Sequence, residues 1–304
     1  MAEPRYVPYD QIDKIKWDAC ISQSANGLIY GQSAYLDGMS KHWDAMVYMD
    51  YEAVMPLTWN RKYSFHYLYQ PAFTACLGIF GDHVDAALTQ LFLEQIPAKF
   101  KYWDISLNHG NLFSITGYNL VERMNYVLPL SNSYEAINNN YRENLKRNIR
   151  RSEQADNRVI NDQDLLSAIA LAKQQLQHLP GIEEDDFTRF ESLCRSYKET
   201  GACKIYGVYD SRGKLVSSAV FLFSHKRAYY ILPGNHPDGK TSGSSHALID
   251  AFIKDHAGSG LVLDFEGSDI SSLAFFYSSF GSVEEKYSAV RLNRLPGWVK
   301  WFKK

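Results

Sequence analysis

The chain has 304 residues, too many for one small module and about right for two packed domains of roughly 150 residues each. Hydrophobic residues make up 45% and aromatics 14%, which excludes a disordered chain, and 21 Tyr against 16 Phe point to many half-buried positions with one polar end. With 32 basic and 34 acidic side chains the net charge is −2, so bulk charge gives no attraction to nucleic acid or membrane and no DNA partner is expected.

The opening MAEPRYVPYDQIDK carries acids and prolines without an apolar core, and no later stretch approaches the ~20 apolar residues that span a bilayer. Cys20, Cys76, Cys194 and Cys203 form neither a C-x-x-C pair nor a finger spacing. Free thiols suit a reducing compartment, and the expectation is a cytoplasmic protein without an integral membrane segment. The nine histidines make no i, i+4 pair with a carboxylate, so no metal is assigned.

In the first half, helices are predicted near Asp10 to Ser22 and Ser33 to Lys41, followed by strands AMVYMDY, EAVMPLTW and YSFHYLY. A helix from about Asp85 to Phe100 precedes strands YWDISL and RMNYVLPL. The second half begins with a stripe of Leu165, Ile169, Ala172, Leu176 and Leu179 after the capping candidates Asn161 and Asp162, ended by Pro180-Gly181. A second stripe, Phe187, Phe190, Cys194 and Tyr197, follows an acidic first turn. Strands CKIYGVY, LVSSAVFLF and RAYYIL come next, the first two joined by the turn Asp210 to Gly213. Leu248, Ile249, Phe252, Ile253 and His256 mark a helix capped by Ser242 or Ser244 and closed at Gly258. Strand LVLDFE, a short helix from Ser268 or Asp269 to Tyr277, and a strand from Glu285 to Arg291 complete the chain.

The halves therefore read α-α-β-β-β-α-β-β and α-α-β-β-β-α-β-α-β, which favours duplicated domains over one large sheet. The fold class expected is α/β (mixed α+β), as two tandem domains over 1–131 and 132–304. Residues 132–162, with YRENLKRNIRRSEQ, are read as a basic linking helix across the seam. Arg142, Lys146, Arg147, Arg150 and Arg151 against Glu143 make it locally positive, and Arg147, Arg150 and Arg151 are candidates for binding a substrate phosphate.

Gly234 to Thr241 is a literal G-x-x-x-x-G-K-T between a strand and a helix, which raises a P-loop nucleotide hydrolase as a third reading. Against it, the strands before it look hairpin-connected, and few residues follow Lys240 for a parallel sheet. The segment retains the physics of a helix start, where free N–H groups and the dipole favour an anion.

The element order, with a glycine- and serine-containing loop before the third helix, resembles the GNAT acyltransferase fold. That family's loop Q/R-x-x-G-x-G/A stands here as Lys240-Thr-Ser-Gly243-Ser-Ser245, with Lys and Ser at the departing positions. Its Tyr-x-x-x-Gly ending stands as Tyr277 and Gly281. The segment from Tyr126 through the basic tract, and LDFEGSDISSLAFFYSSFGS from Leu263, are similar to the Fem-like branch of tandem GNAT aminoacyl and acyl transferases, related to peptidoglycan-bridge and methicillin-resistance factors. The heptad stretch for the helical arm of tRNA-charged members is absent from the sequence.

The resemblance implies an N-acyltransferase. Its donor is acyl-CoA or aminoacyl-tRNA, making tRNA a partner in the second case, and its acceptor is an amine on a small molecule, peptide or cell-wall precursor. Lys240, Thr241, Gly243, Ser244 and Ser245 would hold the donor phosphate, and Gly243→Pro is expected to abolish that binding with the fold intact. Amides near Leu232 to Asn235 would hold the carbonyl oxygen. Tyr277 would protonate the leaving group, and Glu266 or Asp264 would accept the amine proton, Glu266 preferred because alternation puts it at the strand mouth. A catalytically silent ligand-binding pair is the competing reading, on the strength of the altered loop. The tail LPGWVKWFKK, with Trp298, Trp301 and Phe302 among lysines, is expected to pack on a neighbouring domain.

Overall fold

The computed structural model describes residues 2–176, 179, 181–267 and 269–296, so the Trp298 to Lys304 tail, Pro180 and the candidate cap Ser268 lie outside the described residues. The chain forms two compact units, one of residues 1–123 with 286–304 and one of residues 124–285.

The first unit runs β1 (Arg5–Val7), α1 (Lys14–Gln23), α2 (Ser33–Met39), β2 (His42–Tyr48), β3 (Ala53–Lys62), β4 (Phe65–Tyr69), β5 (Phe80–Gly81), α3 (Ala86–Gln95) and β6 (Phe100–Ser106), and ends in the start of β7 (Leu120–Pro129). Asp13 caps α1 by accepting the N–H groups of Ile15 and Lys16, and Asp85 caps α3 through that of Leu88. Strands β1 to β4 pair antiparallel in order, and β4 pairs β6 parallel. Phe92 and Leu93 of α3 close a core with Met55, Leu57, Phe100 and Trp103.

The second unit continues with α4 (Tyr134–Asn139), α5 (Glu143–Gln154), β8 (Arg158–Ile160), α6 (Leu165–Leu176), α7 (Glu184–Glu199), β9 (Cys203–Tyr209), β10 (Leu215–Ser224) and β11 (Arg227–Asn235). It then has α8 (Pro237–Ser242), α9 (Ser244–His256), β12 (Val262–Asp264), α10 (Ser271–Ser278) and the first residues of β13 (Val283–Asn293). Strands β8 to β11 pair antiparallel in order, and β11 pairs β12 parallel. On one sheet face Phe221 of β10 stacks on Phe252 of α9, with centroids 3.9 Å apart. On the other, Ser218 Oγ reaches the carbonyl of Ala168 in α6. Glu183 and Asp186 form a capping box at α7, the structural content of the acidic first turn.

Each unit is thus a mixed, mostly antiparallel sheet flanked by helices, as the tandem reading expects. The division of the chain differs from 1–131 and 132–304. Strand β7, the last of the first half, pairs with β12 through Val127↔Asp264 to Pro129↔Val262. Strand β13, the last of the second half, pairs with β6 through Ala289↔Ser106 to Asn293↔Tyr102. Each unit takes its final strand from the other half of the sequence. Residues 132–162 are not a single linking helix either: they form α4, α5 and β8 of the second unit, with Leu145 and Ser152 of α5 buried.

Candidate active site

Strands β11 and β12 are parallel neighbours only from Arg227↔Val262 to Tyr229↔Asp264. Beyond that rung β12 ends, while β11 continues for six residues to Asn235. On its other side β11 steps from Tyr230↔Phe221 to Leu232↔Val220, so Ile231 is the extra residue of a bulge, which takes it out of the ladder. The end of pairing beside a bulged strand leaves main-chain polar groups without the ladder partners an ordinary sheet would give them.

Phe265, Glu266 and Gly267 carry the chain away from β12, and Glu266 adopts φ 64°, in the left-handed region that non-glycine residues rarely occupy. Its N–H donates to Asp264 Oδ1 at 2.9 Å. Glu266 Oε1 is buried with no hydrogen-bond partner among the described residues. Burial therefore holds the Glu266 carboxyl well above the usual glutamate range. Tyr277 of α10 stacks on Phe265 at 4.7 Å and meets the edge of Tyr230 at 6.4 Å. Its phenol is raised by burial first and by the Glu266 charge second.

Asp264 stands differently. Arg227 Nη1 lies 2.9 Å from its Oδ2, and its Oδ1 accepts from Asn125 Nδ2 at 2.9 Å besides the Glu266 amide. The Asp264 carboxylate is thus taken up by three donors, from Arg227, Asn125 and the Glu266 main chain. Leu232 is fully buried in β11. The Asn235 amide is spent on Gln175 Oε1 at 2.8 Å, and Asn235 Oδ1 accepts from Ser217 and Ser245.

The segment after β11 is not an open phosphate loop. Residues 237–242 are helical, with His236 as cap, and Gly234 is a β11 residue paired to Ser218 in an antiparallel hairpin. A Cβ at Gly239 would stand 2.3 Å from the Val216 carbonyl oxygen, so that glycine serves close packing. These features overturn the P-loop hydrolase reading, in which Gly234 to Thr241 would wrap a phosphate after a parallel strand. Gly243 ends α8 at φ 79° and starts α9, and a Cβ there would lie 2.2 Å from the Asn148 carbonyl oxygen of α5. Gly243→Pro therefore cannot leave the fold intact, because the new ring would collide with α5.

The hydroxyls at this corner bond inward: Ser244 to Ser242 at 2.8 Å, Asn157 Nδ2 to both, and Ser245 to Asn235. The amides of Ser244 and Ser245, first in α9, have no carbonyl one turn earlier in the helix to receive them. Helix α5 packs against this corner, and Arg151 Nη1 approaches the Thr241 carbonyl at 3.4 Å. Lys240, Thr241, Arg147, Arg150 and Arg151 are all exposed. The structure thus brings the basic tract and the helix start together in the second unit, where the sequence placed the tract on a linker.

Two participants escaped the sequence reading, and His246 adds a third side chain near the corner. Arg227 and Glu285 form an ion pair with Nη2 to Oε1 at 2.6 Å across 58 positions, which no local pattern marks. His246, in the first turn of α9, meets the Phe276 ring edge-on at 4.8 Å, with Nδ1 buried and unpartnered among the described residues. Burial and then Arg151 lower its pKa to about 4, so it is neutral at pH 7. Among the described residues no group of three or more His, Cys, Asp or Glu could hold a metal ion, and no helix is long and apolar enough to cross a membrane.

Residues 139–269, which hold β11, the α8–α9 corner and Glu266, match the family described as acetyltransferase (GNAT) domain. The whole chain superposes on the crystal structure of FemX with TM-score 0.66 at 12% identity, covering 96% of this chain and 98% of that one. The chain thus carries a match to a GNAT domain over these residues and shares the fold of FemX. A conserved protein of unknown function from Bacteroides thetaiotaomicron is similar to this chain at TM-score 0.59 and 13% identity, over 93% of this chain and 99% of that one. L-PGS from Bacillus licheniformis is similar at 0.56 and 10%, over 95% of each. No curated protein matches in sequence.

Proposed function

We propose that the second unit is an N-acyltransferase whose reaction takes place in the gap between β11 and the Glu266 turn. The observation that carries this reading is the meeting of three features: the end of parallel pairing at Tyr229↔Asp264, the bulge at Ile231, and a Glu266 carboxyl whose Oε1 is buried with no partner among the described residues and whose charge acts on Tyr277. Main-chain amides at the bulge, next to Leu232, would receive the carbonyl oxygen of a thioester or aminoacyl ester as negative charge develops. Glu266 would take one proton of the attacking ammonium and the amine nitrogen would bond to the carbonyl carbon; the C–S or C–O bond would then break as Tyr277 gives its proton to the leaving atom, and the second proton of the nitrogen would restore the phenol. Asp264 has no proton-transfer role in this scheme.

The donor we favour is an acyl-CoA, as substrate. Its phosphates suit the α9 start, where the Ser244 and Ser245 amides and the dipole meet Lys240, Arg147 and Arg151. The acceptor class is an amine of a peptide or cell-wall precursor, consistent with the Fem-like form of the fold. Release of free thiol from acetyl-CoA, followed with a panel of amines and amine-bearing peptides, tests the reading, and charged tRNA in place of the thioester forms the second arm. Turnover in either arm that Glu266→Gln removes supports it. Donor binding without turnover in both arms would favour the silent ligand-binding alternative.

A further inference from the structure

A buried clamp stands at the closed end of the gap. The Arg227 guanidinium holds Asp264 Oδ2 at 2.9 Å and Glu285 at 2.9 Å and 2.6 Å, with the side chains 13%, 7% and 22% exposed. Asn125 Nδ2 adds a bond to Asp264 Oδ1 at 2.9 Å. Nothing in the acyl-transfer scheme uses this network directly. Its one connection to the scheme is the bond from the Glu266 N–H to Asp264 Oδ1, which spans the residue held at φ 64°. A side chain accepting the amide two residues on is a turn device, and here it stabilises a backbone state that glutamate rarely adopts.

We propose that Arg227 and Asp264 are positioning residues: Arg227 fixes the Asp264 carboxylate, whose Oδ1 holds the Glu266 amide and so keeps the Glu266 side chain buried beside Tyr277. The proposal rests on the reading of Glu266 as the proton acceptor. If the amide were released, Glu266 would relax toward negative φ, its Cα–Cβ bond would swing, and the carboxyl would reach water.

The test needs no substrate. The Glu266 carboxyl is titrated by NMR in protein labelled with carbon-13 at glutamate, its signal assigned by loss in Glu266→Gln. The groups facing it are Tyr277 from α10, neutral throughout that titration, and Asp264 from β12. In the double variant Arg227→Met, Asp264→Val, which replaces a buried ion pair by apolar groups of similar volume, the Glu266 pKa should fall by about one pH unit or more toward the ordinary ~4.3. Asp264→Asn removes the Asp264 charge alone and keeps an acceptor oxygen, so it should retain the wild-type titration. An unchanged Glu266 titration in the folded double variant, or an equal fall in both variants, overturns the proposal. Should the double variant not fold, Arg227→Lys decides, since it keeps the charge and loses the fork. A shift there supports the proposal, and a wild-type titration overturns it. Retention of acyl transfer by Glu266→Gln would sink the proton-acceptor reading and leave this result standing.

Discussion

Alanine at Gly243 places a methyl group 2.2 Å from the Asn148 carbonyl oxygen and 3.0 Å from its carbonyl carbon, at a residue with φ 79°. The left-handed conformation alone costs an L-residue about 1–2 kcal/mol. The collision is with main chain of α5, which no rotamer change can relieve, so α5 must move off α9, and forced repacking of this kind costs about 1–3 kcal/mol more. Gly258 is the matched control, because its φ is 77° and a Cβ there meets nothing within 4 Å. Gly258→Ala should therefore lose about 1–2 kcal/mol and Gly243→Ala about 2–5 kcal/mol, a large part of the ~5–15 kcal/mol typical of a folded domain. Urea unfolding of the two variants, compared at equal m-value, measures the difference. Equal midpoints would refute the argument that α5 and the α8–α9 corner are in backbone contact. With it would fall the claim that this glycine is needed for packing and not for a ligand.

Glu266→Gln is expected to lower turnover by about 10²-fold or more, in the range for a lost general base. The same variant carries a stability signature. A carboxyl raised in the folded state contributes stability that is fully present below the ordinary glutamate pKa of ~4.3 and lost as pH rises through the folded value. Glu266→Gln should therefore melt higher than wild type on the alkaline side of that transition, with a flatter profile, and identical profiles by circular dichroism would contradict a buried Glu266. Tyr277→Phe keeps the stack on Phe265 and should lower kcat by about 10²-fold with little change in KM; full turnover with altered melting would return Tyr277 to a packing role. Arg147→Ala with Arg151→Ala should weaken acyl-CoA binding in calorimetry, and wild-type affinity should fall as salt rises, whereas salt-independent binding would move the phosphate site elsewhere.

Much of the local structure could be read from the chain because each signal is short-range. The Phe187, Phe190 and Cys194 stripe is the buried face of α7, and CKIYGVY is β9 from end to end. The Asp210 to Gly213 turn joins β9 to β10, whose antiparallel register follows. Boundaries drifted where caps competed. Helix α6 starts after Asp164, which accepts the Ser167 amide, and not after Asn161 or Asp162, while Leu179 at the end of the stripe lies beyond the helix and is half exposed. At the site, Glu266 and Tyr277 were candidates from strand alternation and from a resemblance, but β12 ends at Asp264, so Glu266 stands on the turn after the strand at φ 64° and alternation does not place it. Asp264 belongs to the same strand end, but its partners come from Asn125, Arg227 and Glu285.

What the sequence by itself determined is the order of elements and the apolar face of each, since helix and strand periods depend only on neighbours a few residues away. What only the tertiary structure decided is partnership. A strand's alternation says which side is buried but not which strand lies alongside, so nothing in RMNYVLPL or in the run from Val283 to Asn293 reveals that β7 joins β12 and β13 joins β6. The basic tract likewise announced a charged helix, while its place against the start of α9 came from Leu145, Ser152 and the missing Cβ of Gly243 acting together. These are contacts between residues far apart in the chain, and they are set by packing the whole unit.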